Sequence, residues 1–117
     1  MGQLTTHVLD ISAGLPASGL RIEVQEWPPA AAPRPVWATT GVDGRLPAPL
    51  LSGESLRAGR YALTFHIGSY FRGRGVALPD PAFLEEAVIR IGVADPSQHY
   101  HVPLLIAPWS YCVYRGG

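Results

Sequence analysis

The sequence predicts an all-β protein, a sandwich of seven or eight short strands. Punctuation is the first indication, because thirteen glycines and twelve prolines cut 117 residues into short pieces. Alternation is the second. Leu20, Ile22 and Val24 fall on one side of an extended chain and Arg21, Glu23 and Gln25 on the other. Tyr61, Leu63, Phe65 and Ile67 alternate in the same way with Ala62, Thr64 and His66. The third is the scarcity of helical signals, with one short turn expected around Ser69-Tyr70-Phe71-Arg72 inside the glycine-rich stretch from Gly68 to Leu78.

Taken in order, Leu20 to Trp27 reads as a half-buried strand, and the proline-rich run from Pro28 to Pro35 as an extended loop. Val36 to Thr40 is the next strand, and Val42-Asp43-Gly44-Arg45 carries the Asp-Gly turn signal. Ala58-Gly59-Arg60 turns the chain into the strand from Tyr61 to Ile67. Glu86 to Val93 is another strand, ended by Asp95-Pro96-Ser97. Tyr100 to Ile106 and Ser110 to Arg115 form a closing hairpin around Ala107-Pro108-Trp109. Pro103 donates no backbone hydrogen bond, which places its strand at an edge or on a bulge. No internal repeat interrupts the pattern, and residues 1–117 are expected to form a single domain.

Composition narrows the classes of function. Nine basic residues balance nine acidic ones, so no electrostatic footprint for nucleic acid or an anionic membrane is present. Charged residues make up only 15% and hydrophobic ones 47%. That argues against disorder and for apolar surface covered by a partner. One cysteine, Cys112, rules out an intrachain disulfide and a cysteine-based zinc cluster. Neither a signal peptide nor a bilayer-spanning run is read, so the expected location is the cytoplasm and the expected partner a small metabolite.

The candidate chemistry rests on histidines at positions 7, 66, 99 and 101. A lone histidine is more often structural, but His99-Tyr100-His101 places two rings on one face of a strand. That spacing suits two metal ligands or a substrate-facing pair, and the spacing alone does not choose between them. No Gly-x-Ser-x-Gly elbow supports a serine triad. No glycine-rich phosphate loop opens a helix. Cys112, between Tyr111 and Val113, reads as a packed side chain.

Two blocks carry a resemblance. Leu4-Thr5-Thr6-His7-Val8-Leu9-Asp10, followed by Gly14-Leu15-Pro16-Ala17, resembles the amino-terminal signature of the 5-hydroxyisourate hydrolases. His99-Tyr100-His101-Val102-Pro103-Leu104-Leu105, together with Tyr114-Arg115-Gly116, resembles their carboxy-terminal signature. Asp43-Gly44-Arg45, Gly59-Arg60-Tyr61 and Ser69-Tyr70-Phe71 lie between them in the family's order, so nearly the whole chain is covered.

This resemblance implies the transthyretin-like fold: two four-stranded sheets, one short helix, and a homotetramer with substrate sites at the dimer–dimer interface. It implies hydrolysis of 5-hydroxyisourate in urate breakdown without metal or organic cofactor. The alternative is a non-catalytic transthyretin-like binding protein. The family's catalytic positions match His7, Arg45 and His101, and its substrate-binding positions match His7, Arg45, Tyr114, Arg115 and Gly117. Transthyretin itself holds other residue types at the catalytic positions, which favours the hydrolase. On this reading His7 and His101 meet across the channel, one acting on water while the other fixes its tautomer. Arg45 would offer a fork of donors to the substrate carbonyl. The family ends in Tyr-Arg-Gly-Ser, whereas this chain ends in Tyr114-Arg115-Gly116-Gly117, without the terminal hydroxyl.

Overall fold

A computed structural model describes residues 1–117. Its strands are β1 (Gln3–Asp10), β2 (Leu15–Pro16), β3 (Arg21–Glu26), β4 (Val36–Thr39), β5 (Leu51–Ser52), β6 (Gly59–Phe65), β7 (Ala87–Val93), β8 (Tyr100–Ala107) and β9 (Ser110–Val113). A 3-10 turn spans Gly53–Ser55, and the single α-helix, α1, spans Ile67–Gly73. One sheet runs β4-β3-β6-β7. The other runs β2-β1-β8-β9, with β5 also paired to β1. The second sheet thus has five strands where four were expected, because the outer edge of β1 is shared. β5 pairs with Gln3 and Leu4 at one end, and β2 with Leu9 and Asp10 at the other.

The alternation read from the sequence is what drives burial. Leu20, Ile22 and Val24 are inside, as are Tyr61, Leu63 and Phe65. Leu4 and Val8 of β1 meet them from the facing sheet, with Val102, Leu104 and Ile106 of β8, in one apolar cluster. Burying each such side chain fully is worth about 1.5–3 kcal/mol. β1 was not read as a strand, since its inward set, Leu4, Thr6, Val8 and Asp10, mixes polar with apolar residues. The polar members are satisfied inside. Thr6 Oγ1 donates to the Val102 carbonyl at 2.6 Å. Asp10 accepts from Ser12 N, Ser12 Oγ, Ala13 N and the Tyr70 hydroxyl. Burial, then the hydrogen bond to Asp10, pushes the Tyr70 phenol up to about 12.

Three further expectations change. Ile67 opens α1 instead of ending a strand, and the helix is longer than one turn, with Ile67, Tyr70 and Phe71 buried. β9 stops at Val113, so Tyr114 and Arg115 lie beyond the strand. Pro103 is not on an edge strand, since β8 lies between β1 and β9. His101 accepts from Gly116 N at 2.7 Å, so Pro103, two residues on, turns its missing N–H toward the same side. The ladder with β9 begins only at Leu104 and Val113. The proline therefore sits where that ladder is interrupted, and no central hydrogen bond is lost.

Candidate active site

β1 and β8 run parallel with Thr5 beside His101 and His7 beside Pro103. Even-numbered residues of both strands point into the core, so the odd-numbered ones, His7 and His101 included, share the sheet's outer face. The turn at Asp43-Gly44-Arg45 comes to the same face. It does not join two hairpin strands as its Asp-Gly signal suggested. Instead it docks on the free edge of β1, where Val8 N donates to the Gly44 carbonyl at 2.9 Å and His7 forms a bridge with Arg45.

Gly44 makes that docking possible. Its φ is +78°, and a Cβ there would collide with the Val8 carbonyl oxygen and lie 3.3 Å from His7 Cδ2. Asp43 tightens the turn, its Oδ1 accepting from Arg45 N at 3.0 Å. Its carbonyl lies 2.8 Å from His7 Nε2. A carbonyl only accepts, so His7 carries its proton on Nε2, and in the neutral ring Nδ1 keeps the lone pair.

The carboxy-terminal segment closes the other side. Gly116 N donates to the His101 carbonyl, and a Cβ at Gly116 would lie 2.6 Å from His101 Cδ2 and 3.2 Å from Pro103 Cγ. Only glycine allows the tail this close to the ring. Gly117 follows, with nothing within 4 Å of where its Cβ would be. Between these parts runs an open groove of about 720 Å³, lined by Thr5, Arg45, His99, His101 and Gly117 together with Leu46-Pro47-Ala48-Pro49. His7 adjoins it through Arg45.

His101 is held below the ordinary histidine pKa by partial burial, then by the Arg45 guanidinium, then by His7. Its Nδ1 lies 2.8 Å from Thr5 Oγ1. Neither histidine orients the other within the protomer: the Asp43 carbonyl holds His7 and the Thr5 hydroxyl holds His101. No three His, Cys, Asp or Glu side chains converge as a metal-binding group, although His99 and His101 line one groove.

The structure thus brings His7, Arg45, His101 and Gly117 together. Tyr114 and Arg115 are directed elsewhere. Tyr114 is exposed beside Ile89, Ile91 and Val113 in a shallow apolar pocket between β7 and β9. Arg115 donates to Gln98 Oε1 and the His99 carbonyl, both at 3.1 Å, and lies 4.4 Å from the Tyr100 ring centre. Within the protomer it braces the segment leading into β8. His66 belongs to the other sheet, where it stacks on Trp37 and approaches Glu86 at 3.5 Å. Thr5 and the Asp43 carbonyl were not singled out from the sequence. Both lay inside recognised blocks, but only the register and the turn reveal what they touch.

A family model described as HIUase/Transthyretin family matches residues 4–116. The chain belongs to this family. It is 53% identical over 116 residues to a 5-hydroxyisourate hydrolase of Ralstonia nicotianae, covering 99% of each chain. It is 49% identical to the 5-hydroxyisourate hydrolase of Pseudomonas aeruginosa, covering 99% of this chain and 92% of that one. Among solved structures it resembles the Klebsiella pneumoniae 5-hydroxyisourate hydrolase, with 32% identity, a TM-score of 0.81 and full coverage of both chains. It also matches an (S)-allantoin synthase at 40% identity and a TM-score of 0.90, spanning 99% of this chain but 44% of that longer one. Sea bream transthyretin, at 22% identity and a TM-score of 0.84, shares the fold. The transthyretin-like sandwich implied by the sequence blocks is therefore the fold of this family member.

Proposed function

We infer that this protein hydrolyses 5-hydroxyisourate to 2-oxo-4-hydroxy-4-carboxy-5-ureidoimidazoline, and that His7, Arg45 and His101 carry the reaction. The observation that supports this most is their convergence on one outer sheet face from three separate segments, in a chain whose near-full-length relatives bear that name. Water is a poor nucleophile at neutral pH and needs a base. The lone pair of His7 Nδ1 and the ring nitrogen Nε2 of His101 are both unspent on hydrogen bonds within the chain. One takes a proton as the water oxygen adds to the ring carbonyl carbon. The C–N bond then breaks, and the departing nitrogen receives a proton from a histidine. Arg45, exposed beside the groove, offers planar N–H donors to the developing oxyanion. Gly117 lines the groove and borders the substrate there.

The protein is further proposed to act as a homotetramer whose dimer–dimer interface covers this groove, and to work in the cytoplasm. The openness of the groove in the single protomer supports a covered face, and the exposed Trp109, Tyr111 and Tyr114, before, on and after β9, offer further apolar surface for assembly. In such an assembly Tyr114 and Arg115 serve the site of a neighbouring protomer or the frame of their own.

The test follows the transient absorbance of freshly generated 5-hydroxyisourate with and without protein. Turnover is expected, and His7→Asn or His101→Asn should lower it about 10²–10⁴-fold. His66→Asn and His99→Asn should have far smaller effects. Equal losses at all four histidines, or no turnover by the parent protein, would refute this reading.

A further inference from the structure

His101 is the groove's most buried histidine, and its environment is asymmetric. Nδ1 has a partner, Thr5 Oγ1 at 2.8 Å, supplied by the neighbouring parallel strand in direct register. Nε2 has none. His66 Nε2 alone is buried without a hydrogen-bond partner in this protein, so His101 Nε2 is open to the groove. The remaining edge of the ring is closed by Gly116, which leaves no room for a second orientation on that side. Thr5 makes no other side-chain hydrogen bond. It is β-branched, which limits its rotamers and holds the hydroxyl in place.

We propose that Thr5 is a positioning residue for hydrolysis: its hydroxyl occupies His101 Nδ1 and so makes Nε2 the nitrogen that exchanges protons with water and substrate. The two histidines then present opposite nitrogens to the reaction, Nδ1 from His7 and Nε2 from His101, because their anchors, the Asp43 carbonyl and the Thr5 hydroxyl, grip opposite sides of the ring. A hydroxyl side chain at position 5, two residues before His7, is a specific requirement on this account. Valine would keep the shape and the strand preference but lose the anchor, and serine would keep the anchor.

This inference rests on the hydrolase reading only for its kinetic arm. The other arm uses the protein alone. Nitrogen-15 spectra of its histidine rings across pH report whether Nδ1 of His101 is hydrogen-bonded and Nε2 is not. The charged and titratable groups near that ring are Arg45 from the turn and His7 from β1, with His99 ahead of β8 lining the same groove, so Thr5→Val is compared with the parent at each pH. In the neutral parent His101 Nδ1 should carry the shift of a hydrogen-bonded ring nitrogen, and in Thr5→Val that of an unbonded one, with Thr5→Ser like the parent. In turnover, Thr5→Val should lower kcat about tenfold, the scale of one hydrogen bond, with KM changed less than about twofold. Thr5→Ser should stay within about twofold of the parent. A His101 Nδ1 shift in the parent like that of an unbonded ring nitrogen overturns the proposal even if Thr5→Val fails to fold. Unchanged nitrogen shifts or an undiminished kcat in folded Thr5→Val overturn it too. A parent with no turnover but a hydrogen-bonded His101 Nδ1 would refute the hydrolase reading and leave the anchor standing.

Discussion

Burial and the nearby charges of Arg45 and His7 leave His101 a weaker base toward protons than a free imidazole, whose pKa is about 6.5. The ring is therefore neutral, with an unprotonated nitrogen, more often than an exposed histidine is at the same pH. Titration followed by NMR should give His101 a pKa below 6.5. Arg45→Gln removes one of the causes, and the value should rise toward 6.5 without reaching it, since burial is the larger cause. A fall, or no change, would show that Arg45 does not face the ring. The sign also carries over to stability. The folded pKa is below the unfolded one, so the unfolded chain binds this proton more readily as pH drops through 6.5. The His101 contribution to stability is present above that pH and declines from there down to the folded pKa.

At the scale of the element, two short segments without regular structure build the site: the turn at residues 41–45 and the tail at 116–117. Each depends on a glycine for space. Gly44→Ala adds a Cβ into the Val8 carbonyl at a positive φ, and should cost about 1–3 kcal/mol while displacing His7 and Arg45 together. Gly116→Ala should leave the melting temperature nearly unchanged and lower turnover, because its Cβ strikes His101 Cδ2 and not the core. Gly117→Ser meets open space and should be neutral or raise activity by restoring a hydroxyl at the groove. Thermal melts with turnover for the three variants separate these outcomes. A Gly116→Ala protein as active as the parent would remove the tail from the site.

For the whole molecule, the groove is open in the single protomer, and the proposed catalytic histidines lie on an outer sheet face instead of in the core. A family member with this geometry is expected to need other copies to close the site. Light scattering should give a mass near four protomers, and dilution to monomer should abolish turnover. Extending the chain past Gly117 should reduce activity sharply, since that residue lines the groove, whereas an extension before Met1 should be milder. Full activity of a stable monomer would contradict assembly across this face.

The sandwich was legible because a strand buried on one face must alternate, and Leu20 to Val24 and Tyr61 to Phe65 do so without exception in the inward set. The histidine and arginine positions were legible only through the resemblance of two terminal blocks. No local pattern links position 7, 45 and 101, because what joins them is the parallel register of β1 with β8 and the docking of a turn on a strand edge. β1 itself escaped the alternation rule, since Thr6 and Asp10 point inward and are satisfied there by partners far along the chain. Pro103 looked like an edge residue until the interrupted ladder beside it was seen. By itself, then, the sequence determined the layers, through periodic burial of apolar side chains, which is a local property. Which ring nitrogen is held, by Thr5 or by the Asp43 carbonyl, was decided only by the tertiary structure, because hydrogen bonds depend on distances between residues as much as 96 positions apart.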